Sequence, residues 1–258
     1  MTEVDVLLLR FDAPLLSFGG VAVDENRVTR EFPAASMITG LLANALGWDH
    51  GDFDRLQRLQ DRSRYAVRRD RQGQALVDFH TVDLSQDFMQ EGWTTRGKPE
   101  GRGGASAGGT HIRKRHFWAD ALFTVALTLE PAGEEPTVAD LEEALRYPAR
   151  PLFLGRKCCV PSQPILLRRQ RAASPAAALL AEPAGWRSRA ERRRQENAPA
   201  DATLWWTGED PPGHAALRTY PVTDERLWRH QIHAGSRQLK EALVPLPAAD
   251  DSENSPSA

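Results

Sequence analysis

A glycine followed by two cations stands between two apolar segments in the second half of the chain. The segment reads Pro-Leu-Phe-Leu-Gly-Arg-Lys-Cys-Cys-Val-Pro and contains Gly155, Arg156 and Lys157. A backbone that turns at a glycine leaves amide N–H groups open, and the two cations add positive charge beside them. Open amides and positive charge together suit a phosphate group. The segment therefore predicts a contact with the sugar-phosphate backbone of RNA.

A second phosphate contact is predicted where the first helix should begin, near Ser36. The first turn of a helix offers free N–H groups and the positive end of the helix dipole, which attract an anion. Arg27, Thr29 and Arg30 lie just upstream and could close on the same phosphate. In the alternative, Ser36 only caps the helix and the arginines pair with nearby carboxylates.

A histidine and a threonine are predicted at the end of a strand, where the chain leaves the sheet. These residues are His80 and Thr81. RNA-binding proteins stack unpaired bases on flat side chains, so His80 could hold a base. A histidine that only bonds a backbone carbonyl is the alternative.

Basic charge is concentrated in the middle of the chain, although the formal net charge is −2. Residues 96–115 hold six cations and one anion. The last three cations are Arg113, Lys114 and Arg115, and we expect them to face RNA or a partner protein. If each neutralises one phosphate, removing all three lowers the salt slope of single-strand binding by roughly 2. A solvated basic loop is the alternative.

Catalytic and metal-binding patterns are weak by comparison. His111, His116 and Lys114 are the only candidates for the acid–base set of a ribonuclease, and they lie beside a flexible loop. The cysteines Cys158 and Cys159 lack partners at metal-ligand spacing, so we expect both to be small buried packing residues. We therefore expect no catalytic residues, no cofactor and no metal. A metal-independent endoribonuclease is the alternative.

Strand and helix patterns alternate in an order that defines the fold class. Strands are predicted at 4–11, 65–71, 75–80, 117–129 and 165–167, with 75–80 as the hairpin partner of 65–71. Helices are predicted at 33–47, near 53–59, and at 138–145, the last one capped by Thr137 and Asp140. The order β-α-β-β-α-β predicts an α+β domain of the ferredoxin-like or RRM-like type. A generic α+β domain is the alternative.

A long glycine-rich insertion interrupts this order and leads to the predicted domain division. Seven glycines fall between Gly92 and Gly109, so we expect a thumb-like loop at about 83–116 that orders on assembly. Trp93 and Ile112 would anchor it to a partner. The division comprises an RRM-like domain at 1–171, a small irregular C-terminal region at 172–246 and a disordered tail at 247–258.

Bulk composition favours a cytoplasmic protein. The chain has 258 residues, of which 41% are hydrophobic, and no apolar run approaches the roughly 20 residues that a membrane helix needs. The acidic N-terminus runs into a strand, which argues against a secretory signal. Two adjacent cysteines cannot build a disulfide framework, so a reducing compartment fits best.

Four segments in order resemble the CasD family, the RRM-like subunits of the type I-E CRISPR surveillance complex, Cascade. They are residues 9–19, 27–47 and 78–82, and 119–127 taken together with 151–161. The resemblance spans about residues 4–170. Two positions depart from the family pattern: Ala35 stands where a basic residue is usual, and Phe18 where tryptophan is common.

The resemblance implies a non-catalytic role. Such a subunit would hold the 5′ handle of the crRNA, and its thumb would dock on the backbone subunit CasC, with the large subunit CasA as a further partner. Target DNA would be reached only through the complex, because guide pairing reads its sequence. A free-standing RRM-like regulator of messenger RNA is a third possibility, but its central strands should carry exposed aromatic residues.

Overall fold

A seven-stranded antiparallel sheet forms the centre of the molecule. The computed structural model describes residues 3–20, 22–23, 25–83, 91–93, 99–101, 110–185 and 201–247. The strands of this main sheet are β1 (Val4–Asp12), β5 (Ser63–Arg71), β10 (Leu122–Leu129), β11 (Leu166–Ala172), β12 (Asp201–Trp206), β13 (Arg218–Val222) and β16 (Arg237–Pro245). Their order is β11-β1-β10-β5-β12-β16-β13.

Helices cover both faces of the main sheet. They are α1 (Ala35–Ala45), α2 (Phe53–Arg62), α3 (Val138–Arg146) and α4 (Pro175–Ala181). The predicted capping box of Thr137 and Asp140 is present at the start of α3. None of the helices in the described ranges is both long and apolar enough to span a membrane.

The alternation of β1 explains why both faces are covered. Leu7 and Leu9 belong to the core that contains residues of α1 and α3, whereas Leu8 belongs to a second core that contains residues of α4. Successive side chains of a strand point to opposite faces, so a strand buried on both sides must be apolar at nearly every position. The nearly continuous apolar run of β1 fits a strand that is buried on both sides.

A second sheet stands beside the main sheet and contains the strands on either side of the predicted thumb-like insertion. Its strands are β2 (Leu15–Leu16), β3 (Ala22–Val23), β4 (Asn26–Arg27), β6 (Gln74–Asp83) and β9 (Thr110–Ala119). We call the β6–β9 pair the thumb ribbon, because its strands pair from Gln74 with Ala119 to Asp83 with Thr110. The structure also contains two two-stranded sheets. These are β7 (Glu91–Trp93) with β8 (Pro99–Gly101), and β14 (Arg226–Leu227) with β15 (Ile232–His233).

The predicted hairpin between 65–71 and 75–80 is wrong. β5 pairs with β10 and β12 in the main sheet, whereas β6 pairs with β9 in the second sheet. The turn at Gly73 sends the chain from one sheet to the other. Gly73 has φ +65°, and a Cβ there would lie 2.5 Å from the backbone of Ala119. The chain returns through Asp120, also at positive φ, which divides the predicted strand 117–129 into β9 and β10.

The predicted loop between Asp83 and Arg115 is shorter than expected. β6 extends through Asp83 and β9 already begins at Thr110, so Arg113, Lys114 and Arg115 lie in a strand. Residues 84–90, 94–98 and 102–109 lie outside the described residues.

The C-terminal part is more regular than predicted. The sequence predicted a small irregular region here, whereas the structure contains the helix α4 and the strands β12, β13 and β16. β12 bonds directly to β5, so these strands extend the same sheet as β1. The division at residue 171 stays a prediction, and of the expected tail only Pro247 is described.

Candidate nucleic-acid interface

A groove of about 700 Å³ runs beside α1 and brings two of the predicted segments together. Ser36 and the turn at Gly155 both line it. We call it the α1 groove. Its charged lining residues within the described part of the chain are Arg27, Arg30, Arg150, Arg156, Lys157, Arg226 and Asp49. Arg150 bonds Asp49 at 2.7 Å, so the carboxylate is already neutralised and the groove is basic.

The Gly155 turn, residues 154–159, is held tightly against the strand β2. The N–H of Leu154 donates to the carbonyl of Cys159 at 2.8 Å, and the N–H of Ser17 donates to the carbonyl of Leu154 at 3.2 Å. Gly155 has φ +107°, and a Cβ there would lie 1.6 Å from the Ser17 carbonyl oxygen. The close backbone approach therefore requires glycine at this position.

The two cations after Gly155 have different surroundings. Arg156 donates to the carbonyls of His116 at 3.0 Å and Arg27 at 2.7 Å, and its guanidinium lies 4.6 Å from the ring centre of Phe117. It thus joins β4 to β9, and burial lowers the pKa of its guanidinium. Lys157 is exposed and has no hydrogen bond or ion pair within the described ranges. Lys157 is the freer of the two for a phosphate.

The two cysteines that follow differ in burial. Cys159 is buried and Cys158 is exposed. The expectation of a buried packing residue is therefore confirmed for Cys159 and wrong for Cys158. Burial, as the largest cause, raises the pKa of the Cys159 thiol to about 11.

The N-terminus of α1 is occupied by a carboxylate of the chain itself. The N–H of Ala35 donates to Asp224 Oδ2 at 3.0 Å, and the N–H of Ser36 donates to the Asp224 carbonyl at 3.0 Å. The expectation of free amides at these two residues is wrong. The alternative, a Ser36 cap, is also wrong, because the N-cap residue is Ala34 and Ser36 already lies inside the helix.

Asp224 is itself held by an arginine. Arg237 donates to both Asp224 carboxylate oxygens, from Nε at 2.8 Å and from Nη2 at 2.7 Å, and Nη2 also donates to the Tyr65 hydroxyl. Burial opposes ionisation of Asp224, but hydrogen bonds and charge from Arg237 outweigh it and lower the pKa of the carboxyl. No local sequence pattern reveals this contact, since Asp224 follows Ala35 by 189 residues.

Of the other residues predicted beside α1, some bond the backbone of the chain itself and others have no carboxylate partner among the described residues. The Thr29 hydroxyl accepts from the N–H of Phe18 at 2.9 Å, so it holds the backbone together. Arg30 donates to the Thr223 carbonyl at 2.5 Å. Arg27 pairs with Arg115 across β4 and β9, and neither guanidinium is paired with a carboxylate of the described residues. The Ser36 hydroxyl bonds His233 Nε2 at 3.2 Å on the surface.

The three consecutive cations of β9 do not face the same way. Arg113 and Arg115 share a face of the thumb ribbon with Phe117, the ring that contacts Arg156. Lys114 lies on the opposite face, because side chains alternate along a strand. The three cations therefore do not share one surface, and the expectation that they face RNA or a partner protein stays a prediction.

The two residues predicted at the strand end also lie on opposite faces. His80 stands opposite Arg113 and Thr81 opposite Ile112 in the ribbon register. His80 Nε2 bonds the Asp78 carboxylate. The partner of His80 is therefore a side chain and not a backbone carbonyl, and its stacking on a base stays a prediction. Thr81 is exposed on the face that carries Lys114.

The Lys114 face of the thumb ribbon exposes apolar side chains. Val77 is 53% exposed, Phe79 57% and Ile112 40%. Ile112 was predicted as an anchor for a partner protein, and its exposure beside Phe79 supports that prediction. The side chain of Trp93, the other predicted anchor, lies outside the described residues.

Several lining residues were missed by sequence reasoning. Arg226 and His233 come from the C-terminal region, and His50 and Arg150 lie next to α2 and α3. Each is a single residue in a loop or short strand, without a motif around it. Their shared position follows only from the tertiary fold.

Comparison with known proteins identifies the family of this chain. Residues 6–240 match a family model described as CRISPR-associated protein (Cas_Cas5). The "CRISPR system Cascade subunit CasD" of Escherichia coli (strain K12) is 32% identical over 180 residues, which cover 69% of this chain and 78% of the relative.

Solved structures of CRISPR-associated proteins are also similar to this chain. A chain of a "CRISPR RNA-guided surveillance complex" superposes with a TM-score of 0.69 and 29% identity, covering 94% of this chain and 91% of that chain. A second structure, described as "Crystal structure of Cas protein", gives a TM-score of 0.61 and 27% identity, covering 95% and 98%. The chain belongs to the CRISPR-associated Cas5 family.

Proposed function

We propose that the chain is the non-catalytic subunit of a Cascade surveillance complex that holds the 5′ handle of the crRNA. The observation that carries the proposal is the basic α1 groove in a member of the Cas5 family. Lys157 and Arg27 offer charge without a carboxylate partner among the described residues. The groove is also lined by the apolar residues Met37 and Phe153, against which an unstacked base can lie.

The thumb ribbon extends the basic surface beyond the groove. Arg115 lies beside Arg27, and Arg113 lies two residues further out on the same face. A single RNA strand can follow this row of guanidinium groups from the groove along the ribbon. Binding through phosphates is independent of base sequence, so this row of cations can hold the strand without reading its bases.

The fold part of the proposal is a ferredoxin-like, RRM-like unit within the larger α+β body. The strand order β11-β1-β10-β5 and the crossover helices α1 and α3 support it. The division into an RRM-like domain at 1–171 with a thumb, and a small C-terminal region at 172–246, belongs to the same proposal.

The opposite face of the thumb ribbon is proposed to dock the backbone subunit CasC. Phe79 and Ile112 provide the exposed apolar surface that supports this contact. The large subunit CasA remains a predicted partner, and target DNA a partner through the complex alone. A cytoplasmic location stays a prediction.

The geometry of β9 argues against the alternative, a crRNA-processing endoribonuclease. His111 and His116 are five residues apart, so they lie on opposite faces of the strand and about 16 Å from one another. Acid and base must both reach the same ribose and phosphate. These two histidines cannot do so from one ribbon.

Incubation of the purified chain with labelled repeat RNA tests the proposal. We expect no cleavage, and weak binding that strengthens when partner subunits are added. Cleavage products would identify an endoribonuclease. Tight, sequence-specific binding by the chain alone would identify a free-standing regulator.

A further inference from the structure

The C-terminal hairpin, residues 226–233, lines the α1 groove and is firmly attached to its floor. Trp228 is buried, donates from Nε1 to Gln60 Oε1 at 3.2 Å, and lies next to Gly40 of α1. Gln60 also bonds the backbone of Arg226 in both directions, at 3.0 Å each. The hairpin is therefore placed by α1 and α2, the same helices that shape the groove.

The attachment continues on the N-terminal side of the hairpin. Asp224 accepts from the first amides of α1 and from Arg237, so the chain enters the hairpin from a buried anchor. A wall fixed at both of these points can position side chains toward a ligand without paying for ordering when the ligand binds.

Two side chains of the hairpin reach the groove with donors to spare. Arg226 Nη2 donates to the Gln231 side chain at 2.6 Å, but its Nε is buried without a hydrogen-bond partner in the described part of the chain. Within those residues Arg226 forms no ion pair. His233 lies beside Ser36. The Arg226 guanidinium lies 5.5 Å from the ring centre of Trp228, and without a carboxylate partner in the described ranges its charge is available to an anion.

We propose that the C-terminal hairpin is part of the RNA site: Arg226 binds a phosphate in the α1 groove, and His233 takes up a proton when that phosphate binds. This inference rests on the proposed function and names two residues outside the segments that the sequence indicated. The ligand is the phosphodiester backbone of a single RNA strand.

The direction of the proton linkage follows from the charges around His233. Burial, Arg226 and Arg30 lower the pKa of His233, and the nearby Asp224 opposes them, so the free protein keeps the imidazole neutral at pH 7. A bound phosphate adds negative charge and favours the protonated imidazole. RNA affinity should therefore rise as pH falls, by at most about tenfold per pH unit for one proton.

Binding of a fluorescent repeat-derived RNA to the full chain, measured by anisotropy at low salt, tests both residues. We expect Arg226→Gln to weaken binding roughly tenfold, as the loss of a charge-assisted hydrogen bond. The matched control is Arg229→Gln, which removes the same charge from an exposed residue of the same hairpin outside the groove. The control should stay within about twofold of the wild type.

The pH arm uses His233→Gln, which keeps a hydrogen-bonding side chain beside Ser36 and removes the titration. The wild type should bind more tightly at pH 6 than at pH 8, and His233→Gln should lose that difference. His230→Gln, an exposed residue of the same hairpin, should keep it. His50→Gln, at the far side of the groove, measures how much the second groove histidine contributes to the pH dependence of RNA binding.

Three outcomes decide the inference. In the first outcome, Arg226→Gln and His233→Gln behave like their controls while Arg115→Ala weakens RNA binding. This result overturns the hairpin proposal and leaves the proposed function standing. In the second outcome, the expected effects on RNA binding appear only in Arg226→Gln, His233→Gln and Arg115→Ala, and this result supports both proposals. A wild-type chain that binds no RNA at low salt overturns both.

Discussion

Single residues decide which cations of the thumb ribbon can meet RNA. Arg113, Lys114 and Arg115 are consecutive, and a strand sends consecutive side chains to opposite faces. Only Arg113 and Arg115 share the face that leads into the α1 groove. The salt slope expected for the three cations together is therefore about 1.4 rather than roughly 2, because two phosphates are neutralised.

Arg115→Ala should lower the salt slope of RNA binding by about 0.7, the value for one phosphate on a single strand. Lys114→Ala is the matched control and should leave the slope unchanged, because its side chain lies on the apolar face. The slope is measured from binding constants at several salt concentrations. An equal decrease of the salt slope in the two variants would contradict the assignment of Arg115 and Lys114 to opposite faces of the ribbon.

Gly155→Ala should destabilise the fold by about 2–4 kcal/mol, because positive φ and a backbone clash act together. The added Cβ would meet the Ser17 carbonyl at 1.6 Å, so the turn must move. Gly213→Ala separates the two causes, since Gly213 has φ +78° but nothing within 4 Å of its Cβ position. It should cost only about 1–2 kcal/mol. Urea unfolding measures both, and equal costs would exclude a role for the close approach.

At the scale of elements, Asp224 joins the C-terminal region to the start of α1. Asp224→Asn leaves Arg237 buried without a charged partner, so we expect a loss of about 3–5 kcal/mol in the free energy of unfolding. Asp210→Asn, which breaks the more exposed pair with Lys240, should leave the free energy of unfolding almost unchanged. Similar costs for the two variants would contradict the buried clamp.

The same clamp gives a pH dependence of stability. Arg237 holds the folded-state pKa of Asp224 below its ordinary value, so the stabilisation is complete above the unfolded pKa, about 4. It is lost as pH falls through the lower, folded pKa. Asp224→Asn lacks this component, so the stability difference between wild type and variant should shrink on acidification below pH ~4. A difference that stays constant at low pH would argue against the pairing.

The thumb ribbon should act as a docking element through its apolar face. Replacing Phe79 and Ile112 together with serine should weaken association with the neighbouring backbone subunit on the order of tenfold or more, because exposed apolar anchors dominate interfaces. Tyr147→Ser, at an exposed aromatic on another surface, is the control. Co-purification with the partner measures the effect. An intact complex with the double variant would place the contact elsewhere.

Local patterns explain which elements could be predicted. β1, α1 and α3 have continuous apolar runs, helical periodicity or a capping box, and all three are present near the predicted bounds. The partner of β6 could not be predicted, because the direction of the chain after Gly73 depends on the backbone of Ala119 in another strand. The same limit applies to Asp224, whose contacts with α1 are purely tertiary.

At the scale of the whole molecule, charge distribution matters more than net charge. The chain carries a net charge of −2, yet the α1 groove collects six cations and one paired carboxylate in its described lining. These residues come from distant parts of the sequence, because β12, β16 and β13 extend the same sheet as β1 and β5. The sequence indicated Arg27, Arg30 and Lys157, whereas Arg226 and His233 required the fold.

Cross-linking within the assembled complex tests the central claim most directly. A crRNA carrying photoreactive 4-thiouridine near its 5′ end is irradiated, and the linked peptides are identified by mass spectrometry. The account predicts cross-links to the walls of the α1 groove, in residues 27–37 and 150–157. Efficient cross-links that fall only on surfaces of this chain remote from α1 and the Gly155 turn would contradict it.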